Sequence, residues 1–469
     1  MELFPVIVAV VATTGAIALV VKGWDVRVVL LAAALLIAAA AEVAAQSAVG
    51  MPAAAVARVV RQFLATFSNE RFVVPICTAM GFAYVLKHTG CDQHLVWLLI
   101  NPLRRVRGLL IPGVVVVGFC VNIPLISQTS TAVSLGAVVV PLLRAAGYSM
   151  PTIGACLLLG ASVGGELLNP GAPELLTVFN KTNVPTTVQA TQYLPGLVFT
   201  QLATATLILW LMSRWWERTA AAPEALPQAD APAATSATVD HPRVNLWKAI
   251  VPLVPITLLF ATALPAPYQL WDVPDEWVIP RLANGERDPA YNSRLIGLAM
   301  LLGVVVAAAV SLDKARDCVK EFFAGAGYGF ANVVSLIVVA NCFGEAIRIA
   351  GLAELLGTWI EQTPPLMQPL AAFIPLSFAA VSGSGMASTQ SLYGFFYAPA
   401  VALGLDPVAV GAMVSLGSAA GRTMSPVAAV TLMCATLTGT NPFTLAQRVA
   451  IPLLGGITLV VLLRVMGWL

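Results

Sequence analysis

Apolar runs of membrane-spanning length alternate with short polar stretches along the whole chain. Runs over residues 3–21, 28–45, 72–86, 193–211, 246–264, 295–312, 327–349 and 446–463 carry few or no charges. Each reads as a transmembrane helix, since about 20 apolar residues cross a bilayer. Residues 56–67 mix Arg58, Arg61 and Gln62 with apolar positions, which predicts a helix lying at the interface. Four stretches depart from the simple spanning pattern. Residues 109–146 have two apolar arms of about 15 residues, too short to cross, around the polar centre Asn122–Thr131. Arg107 and Arg144 lie at the two ends, so the stretch predicts a re-entrant hairpin whose tip reaches the midplane. Residues 364–404 repeat that pattern around Val381–Thr389. Residues 151–181 and 406–440 are apolar runs interrupted at mid-length by Gly165-Glu166-Leu167-Leu168-Asn169-Pro170 and Gly421-Arg422-Thr423-Met424-Ser425-Pro426. Gly and Pro break a helix there and free backbone amides and carbonyls. Such breaks are tolerated only where protein buries them or they line a watery cavity.

The interruptions are related to one another. A shift of 256 (426 − 170) lays Gly165 on Gly421, Asn169 on Ser425, Pro170 on Pro426, and Glu166 on Arg422, its charge opposite. A shift of 258 lays Ser130-Thr131 of the first hairpin on Ser388-Thr389 of the second. Each half then holds five crossings and one hairpin, and an odd number turns the second half upside down. The expected fold is an all-α polytopic membrane protein of two inverted repeats, each with five crossings, one re-entrant hairpin and one broken helix. The repeats cover residues 1–216 and 246–469, and an Ala/Pro/Thr-rich linker over 217–245 joins them in the cytoplasm. With both termini outside, Lys22/Arg27, Arg104–Arg107, Arg144, Arg214/Arg218, Arg243/Lys248 and Lys314/Arg316/Lys320 all fall inside, as the positive-inside rule asks. The first hairpin then enters from the cytoplasm and the second from outside.

Composition agrees. The chain is 58% hydrophobic and only 10% charged, against about 25% charged in soluble proteins. Mean hydropathy is +0.86. The net charge of +2 says nothing about nucleic acid, and with no basic patch interleaved with aromatics no nucleic-acid partner is expected. Seven cysteines without a CxxC and three scattered histidines point to neither a disulfide framework nor a metal site. The first run has no basic residue before it and reads as a span, not a cleaved signal.

Paired interrupted helices are a sequence pointer to a transporter binding site near the midplane. Half-helix N-termini offer N–H groups to an anion, while freed carbonyls and hydroxyl oxygens suit Na⁺. An arginine at that depth is costly and marks function, and its planar fork fits a carboxylate. The expected substrate ligands are Ser130, Thr131, Asn169, Ser384, Gly385, Ser388, Thr389, Arg422, Thr423 and Ser425. The expected ion-coupling residues are Asn122, Ser127, Thr129, Glu166 and Ser382, serving Na⁺ or H⁺. Arg422 either clamps substrate or forms a structural bridge to Glu166. Glu166 either neutralises it, ligates a cation or carries a proton. Glu174 falls two turns beyond Glu166 and either faces the same cavity or a wet end. Glu345 and Arg348, spaced i,i+3, pair with each other. Ser382-Gly383-Ser384-Gly385 lacks the base a serine protease needs, and two-fold inverted breaks favour alternating access over a channel.

At these residues the sequence resembles the DcuC family of C4-dicarboxylate transporters, within the ion transporter superfamily. The resemblance rests on Gly421-Arg422-Thr423-Met424-Ser425-Pro426-Val427, Gly383-Ser384-Gly385, Lys22-Gly23, and Gly81-Phe82-Ala83 with Thr89-Gly90. It implies an inner-membrane carrier of succinate, fumarate or malate. It also implies a homodimer of scaffold and transport domains working by elevator motion, with no resident cofactor beyond a coupling ion. Met386 stands where relatives have Asn, and Glu166 and Asn169 stand where they are apolar or small. An extra carboxylate at the site leaves open another organic anion, such as a monocarboxylate or citrate, or an amino acid.

Overall fold

The computed structural model describes residues 3–22, 24–45, 54–102, 107–219, 244–263, 273–282, 285, 287–352 and 364–469. Most of the 217–245 linker, and Arg104 and Arg105, lie outside the described residues. Those described form helices and turns with no strand. Eight of the helices are long and apolar enough to cross a membrane.

The first group is α1 (Leu3–Val21), α2 (Val26–Ala45), α3 (Ala54–Phe67), α4 (Glu70–Thr89) and α5 (Cys91–Ile100). Asn69 starts α4 by accepting a hydrogen bond from the Arg71 amide, and Gly90 ends it in the left-handed conformation, the usual chemistry of helix ends. The first hairpin follows as α6 (Leu110–Leu125) and α7 (Gln128–Ala145). The first interrupted helix is α8 (Met150–Ser162), a 3-10 turn at Gly165–Leu168, and α9 (Pro173–Thr182). The next helices are α10 (Pro195–Thr219), α11 (Leu246–Ala263), α12 (Tyr291–Val310) and α13 (Ala315–Ile349). The second hairpin is α14 (Met367–Ser382) and α15 (Gly385–Ala402). The second interrupted helix is α16 (Pro407–Met424) and α17 (Ala429–Thr438), and α18 (Pro442–Val465) closes the chain.

Two boundaries differ from the sequence reading. The span expected at 327–349 begins at Ala315 and runs unbroken, widened by a π turn at Phe330–Val334. Its basic start had read as a cytoplasmic turn because an amphipathic helix there needs a partner, α4, to cover its apolar side. In the second interrupted helix, Gly421 and Arg422 remain helical and the break opens at Ser425.

Each hairpin lies on the first half of the interrupted helix that follows it, α6–α7 on α8 and α14–α15 on α16. The second halves change sides: α9 packs on α15 and α16, and α17 packs on α7 and α8. A separate apolar cluster holds α1, α2, α3 and the end of α13 together. Large apolar side chains such as Leu207, Leu211, Leu301, Val305 and Leu462 are exposed, as lipid-facing residues must be.

Candidate functional site

The two tips are built alike. In the first, Ile126 takes φ 56° and Ser127 caps α7 by accepting from the Ser130 amide. In the second, Gly383 takes φ 72° and Ser384 caps α15 by accepting from the Ala387 amide. Each tip therefore ends in a helix N-terminus. So does each break, at Pro173 and Ala429.

All four N-termini open onto one cavity of about 300 Å³, lined there by Gln128 and Thr129, Pro173 and Glu174, Gly385 and Met386, Ala429 and Val430. The free N–H groups of a helix N-terminus amount to about half a positive charge, so four converging ends favour about two negative charges. Arg422, at the last turn of α16, adds a guanidinium to the wall.

Arg422 is 6% exposed and Glu166 is fully buried. Arg422 Nη2 donates to Glu166 Oε1 at 2.6 Å and to the Ser162 carbonyl and hydroxyl at 3.3 and 3.2 Å. Its Nη1 faces Glu174 Oε1 at 3.9 Å. Glu166 Oε2 and Arg422 Nε are buried without a hydrogen-bond partner. Gly385 lies against the guanidinium, and a Cβ there would stand 3.2 Å from Nη1 and from the Ser418 carbonyl. Only glycine allows that approach without displacement.

Six of the expected residues meet at this cavity: Ser127, Thr129, Glu166, Ser384, Gly385 and Arg422. The other nine lie behind its wall. Asn122 is buried, with Oδ1 accepting from the Glu166 amide at 3.0 Å and Nδ2 directed at Thr131 Oγ1 at 3.5 Å. Asn169 donates to the Ile123 carbonyl at 2.8 Å and accepts from the Gly171 amide. Thr131 donates to the Ser127 carbonyl, and the Ser130 amide serves the cap. Ser382 accepts from the Ser384 amide at 3.3 Å. Ser388 donates to the Pro375 carbonyl and accepts from Ser418. Thr423 donates to the Ser162 carbonyl at 2.6 Å. Thr389 and Ser425 are buried with unpartnered hydroxyls.

The cavity also takes residues beyond the expected ligands, among them Glu174, which the sequence set either on this cavity or at a wet end. Glu174 is 1% exposed and lines the cavity. Arg27, from the start of α2, donates to the Ala331 carbonyl at 2.7 Å inside the π turn of α13, and Tyr328 and Asn332 join it on the same wall. The signal available for them was the π turn, a feature that recurs at functional sites but has no local sequence mark. Glu345 and Arg348 pair with each other at 2.7 Å, away from this cavity.

Comparison with known proteins places this geometry. The sequence matches the DcuC family, described as C4-dicarboxylate anaerobic carrier, over residues 4–468. The anaerobic C4-dicarboxylate transporter DcuC of Escherichia coli K12 is 21% identical, the match covering 97% of this chain and 95% of that protein. A Haemophilus influenzae protein described only as an uncharacterized transporter is 34% identical over 154 residues, 33% of this chain and 98% of its own length. The solved structure of Neisseria gonorrhoeae MtrF, described as illuminating a class of antimetabolite efflux pumps, is similar with a TM-score of 0.62 at 13% identity. That likeness covers 93% of this chain and 94% of MtrF and concerns the fold. A family match running almost end to end, on a polytopic helical chain with a buried anion-favouring cavity, makes this protein a member of the DcuC family of membrane transporters.

Proposed function

We propose that the protein is a secondary active transporter of C4-dicarboxylates, of the succinate, fumarate and malate class, in a cytoplasmic membrane. The observation that carries this reading is the convergence of four helix N-termini and Arg422 on one cavity. Together they amount to about three positive charges, against which Glu166 and Glu174 on the same wall set at most two negative ones, so the cavity stays net positive and favours an anionic substrate. Arg422 takes one carboxylate on the Nη1 side of its fork while Nη2 stays on Glu166. The amides and hydroxyls at Thr129 and Ser384 hold the rest, and Gly385 lets the backbone come close.

The larger scheme is alternating access by elevator motion of the hairpins and interrupted helices within a homodimer. Transport is ion-coupled or exchanging. Inverted repeats over 1–216 and 246–469, both termini outside, would place the two hairpins on opposite faces of the membrane. Ser127, Thr129, Ser382 and Asn122 supply oxygens for Na⁺ if sodium is the coupling ion. Ser130, Thr131, Asn169, Ser388, Thr389, Thr423 and Ser425 then shape the wall that holds the ligands. A second reading is favoured by Glu166 and Glu174, which put two carboxylates on the cavity: a substrate that carries an amino group beside its carboxylate. A thermal-shift panel of dicarboxylates, monocarboxylates and acidic amino acids separates the two.

The decisive test compares Arg422→Lys, Glu166→Gln, Arg422→Gln and the double change Glu166→Gln with Arg422→Gln. If Arg422 is the clamp, Lys loses substrate affinity by roughly 1.5–3 kcal/mol, the range for hydrogen bonds to charged groups, and the double mutant folds but does not transport. A double mutant that moves succinate at the wild-type rate would make the pair a structural bridge and sink the clamp.

A further inference from the structure

Glu174 is a buried acid that the clamp does not use. It is 1% exposed, sits in the first turn of α9 and lines the cavity. Its nearest cationic group is Arg422 Nη1 at 3.9 Å, and the other end of that guanidinium is committed to Glu166 at 2.6 Å. One guanidinium therefore stands between two carboxylates. The charged groups around Glu174 are few. Glu166 comes from the 3-10 turn and Arg422 from α16. Arg27 lines the same cavity but is tied to Asp25 and the Ala331 carbonyl. Lys181 closes the far end of α9. The described part of α15, which also packs on α9, carries no charged residue, and from α4 Arg71 lies over the Phe179 ring toward the distal end of α9.

A substrate carboxylate seeks the same two things that hold the Glu174 carboxylate, Arg422 and the N-terminus of α9. The two anions compete, and both cannot stay charged beside one shared cation in a dry site. On the reading that this cavity carries a dicarboxylate, we infer that Glu174 is the proton carrier of the transport cycle. It is a carboxylate facing Arg422 while substrate is elsewhere. As a substrate carboxylate reaches Arg422, Glu174 takes a proton from water on the open side and becomes a neutral acid. When substrate leaves on the other side, the O–H bond breaks, the proton passes to water there, and the carboxylate returns to Arg422. A proton fits better than Na⁺ at this position. The Arg422 guanidinium that faces Glu174 at 3.9 Å repels a metal cation placed beside it, whereas a proton neutralises the acid where it stands.

The test uses the full-length protein in liposomes with labelled succinate as probe. Wild type is expected to show succinate counterflow, accumulation driven by an imposed pH gradient, and succinate-dependent proton movement reported by an internal pH dye. Glu174→Gln, which keeps the shape and removes the titration, is expected to lose gradient-driven accumulation and proton movement while keeping counterflow. Wild type without counterflow of any dicarboxylate would end the transport reading itself. Wild-type counterflow with no proton movement, or accumulation that follows a Na⁺ gradient alone, overturns the role of Glu174. A folded Glu174→Gln protein that still accumulates succinate along the pH gradient, or that loses counterflow as well, overturns it too. The proton measurement on wild type decides the matter even if the variant fails to fold.

Discussion

The two hairpin-and-break units have the same outline but are fastened by different chemistry. In the first, amide side chains act as clasps: Asn122 holds the Glu166 amide and Asn169 holds the Ile123 carbonyl. Both units also pack by glycine, Gly118 on Gly160 and Gly165 on the Phe119 carbonyl in the first, Gly417 and Gly421 of α16 on the Ala372 and Leu376 carbonyls of α14 in the second, but the second has Ala380 and Ser425 where the first has its two asparagines. The tips diverge likewise, since Ile126 takes a positive φ that Gly383 adopts without strain. The difference explains where the charges sit. Side-chain clasps can hold an irregular 3-10 turn, so Glu166 lies within a break. Without such clasps the second unit keeps a regular helix through Met424, so Arg422 stays on it and is aimed by it.

If that division is right, Gly421→Ala should have the largest effect. A Cβ there would overlap the Leu376 carbonyl, and backbone cannot rotate away. Overpacking of about 1–3 kcal/mol is the least expected, seen as lost monodisperse protein or a large fall in Tm; an unchanged Tm would mean that α14 and α16 are not in tight contact. Next comes Asn122→Ala, which strands the buried Glu166 amide and should cost about 1–3 kcal/mol. Ser388→Ala, the nearest equivalent tie in the second unit, should cost less, about 1 kcal/mol. Equal losses at the two would erase the contrast.

The smallest effect concerns Asp92, which reaches the first unit only, through Ser134 Oγ donating to Oδ2 at 2.6 Å. Burial raises the Asp92 carboxyl above its ordinary range, and the Ser134 bond opposes but does not cancel the rise. The folded protein thus binds this proton more readily than the unfolded chain. Stability should fall as pH rises from the ordinary carboxylate range through the raised value. Asp92→Asn should flatten that slope and lift stability near neutral pH. A variant less stable than wild type at every pH would show that the ionised form is the one the fold wants.

Much of this was legible in the sequence for physical reasons. Hydroxyls at Ser127–Thr131 and Ser382–Thr389, and Gly and Pro within apolar runs, stand out because the membrane tolerates them nowhere else. What could not be read is which face each hydroxyl takes. Ser388, Thr423 and Asn169 spend their hydrogen bonds inside the protein, and nothing local separates them from Ser384. Gly421 read as part of a helix break, whereas it serves close packing, a role with the same letter and the opposite consequence. Arg27 was one charge in a basic turn, and its place on the cavity depends on a helix about 300 positions later. Glu174 was visible as an acid at depth, but the 3.9 Å separation that matters is set by a segment from the other half of the chain.

The exchange of second half-helices has a mechanical consequence. Because α9 rests on the second hairpin's unit and α17 on the first, the two units are stitched through each other. Pulling them apart would withdraw two ten-residue helices from apolar contact at once. In the proposed elevator motion they would travel together as one rigid body. A path for a ligand would then open where that body meets the cavity-facing side of α4 and α13, a wall on which apolar Ile76, Ala79, Met80, Val333 and Leu336 stand beside Tyr328 and Asn332.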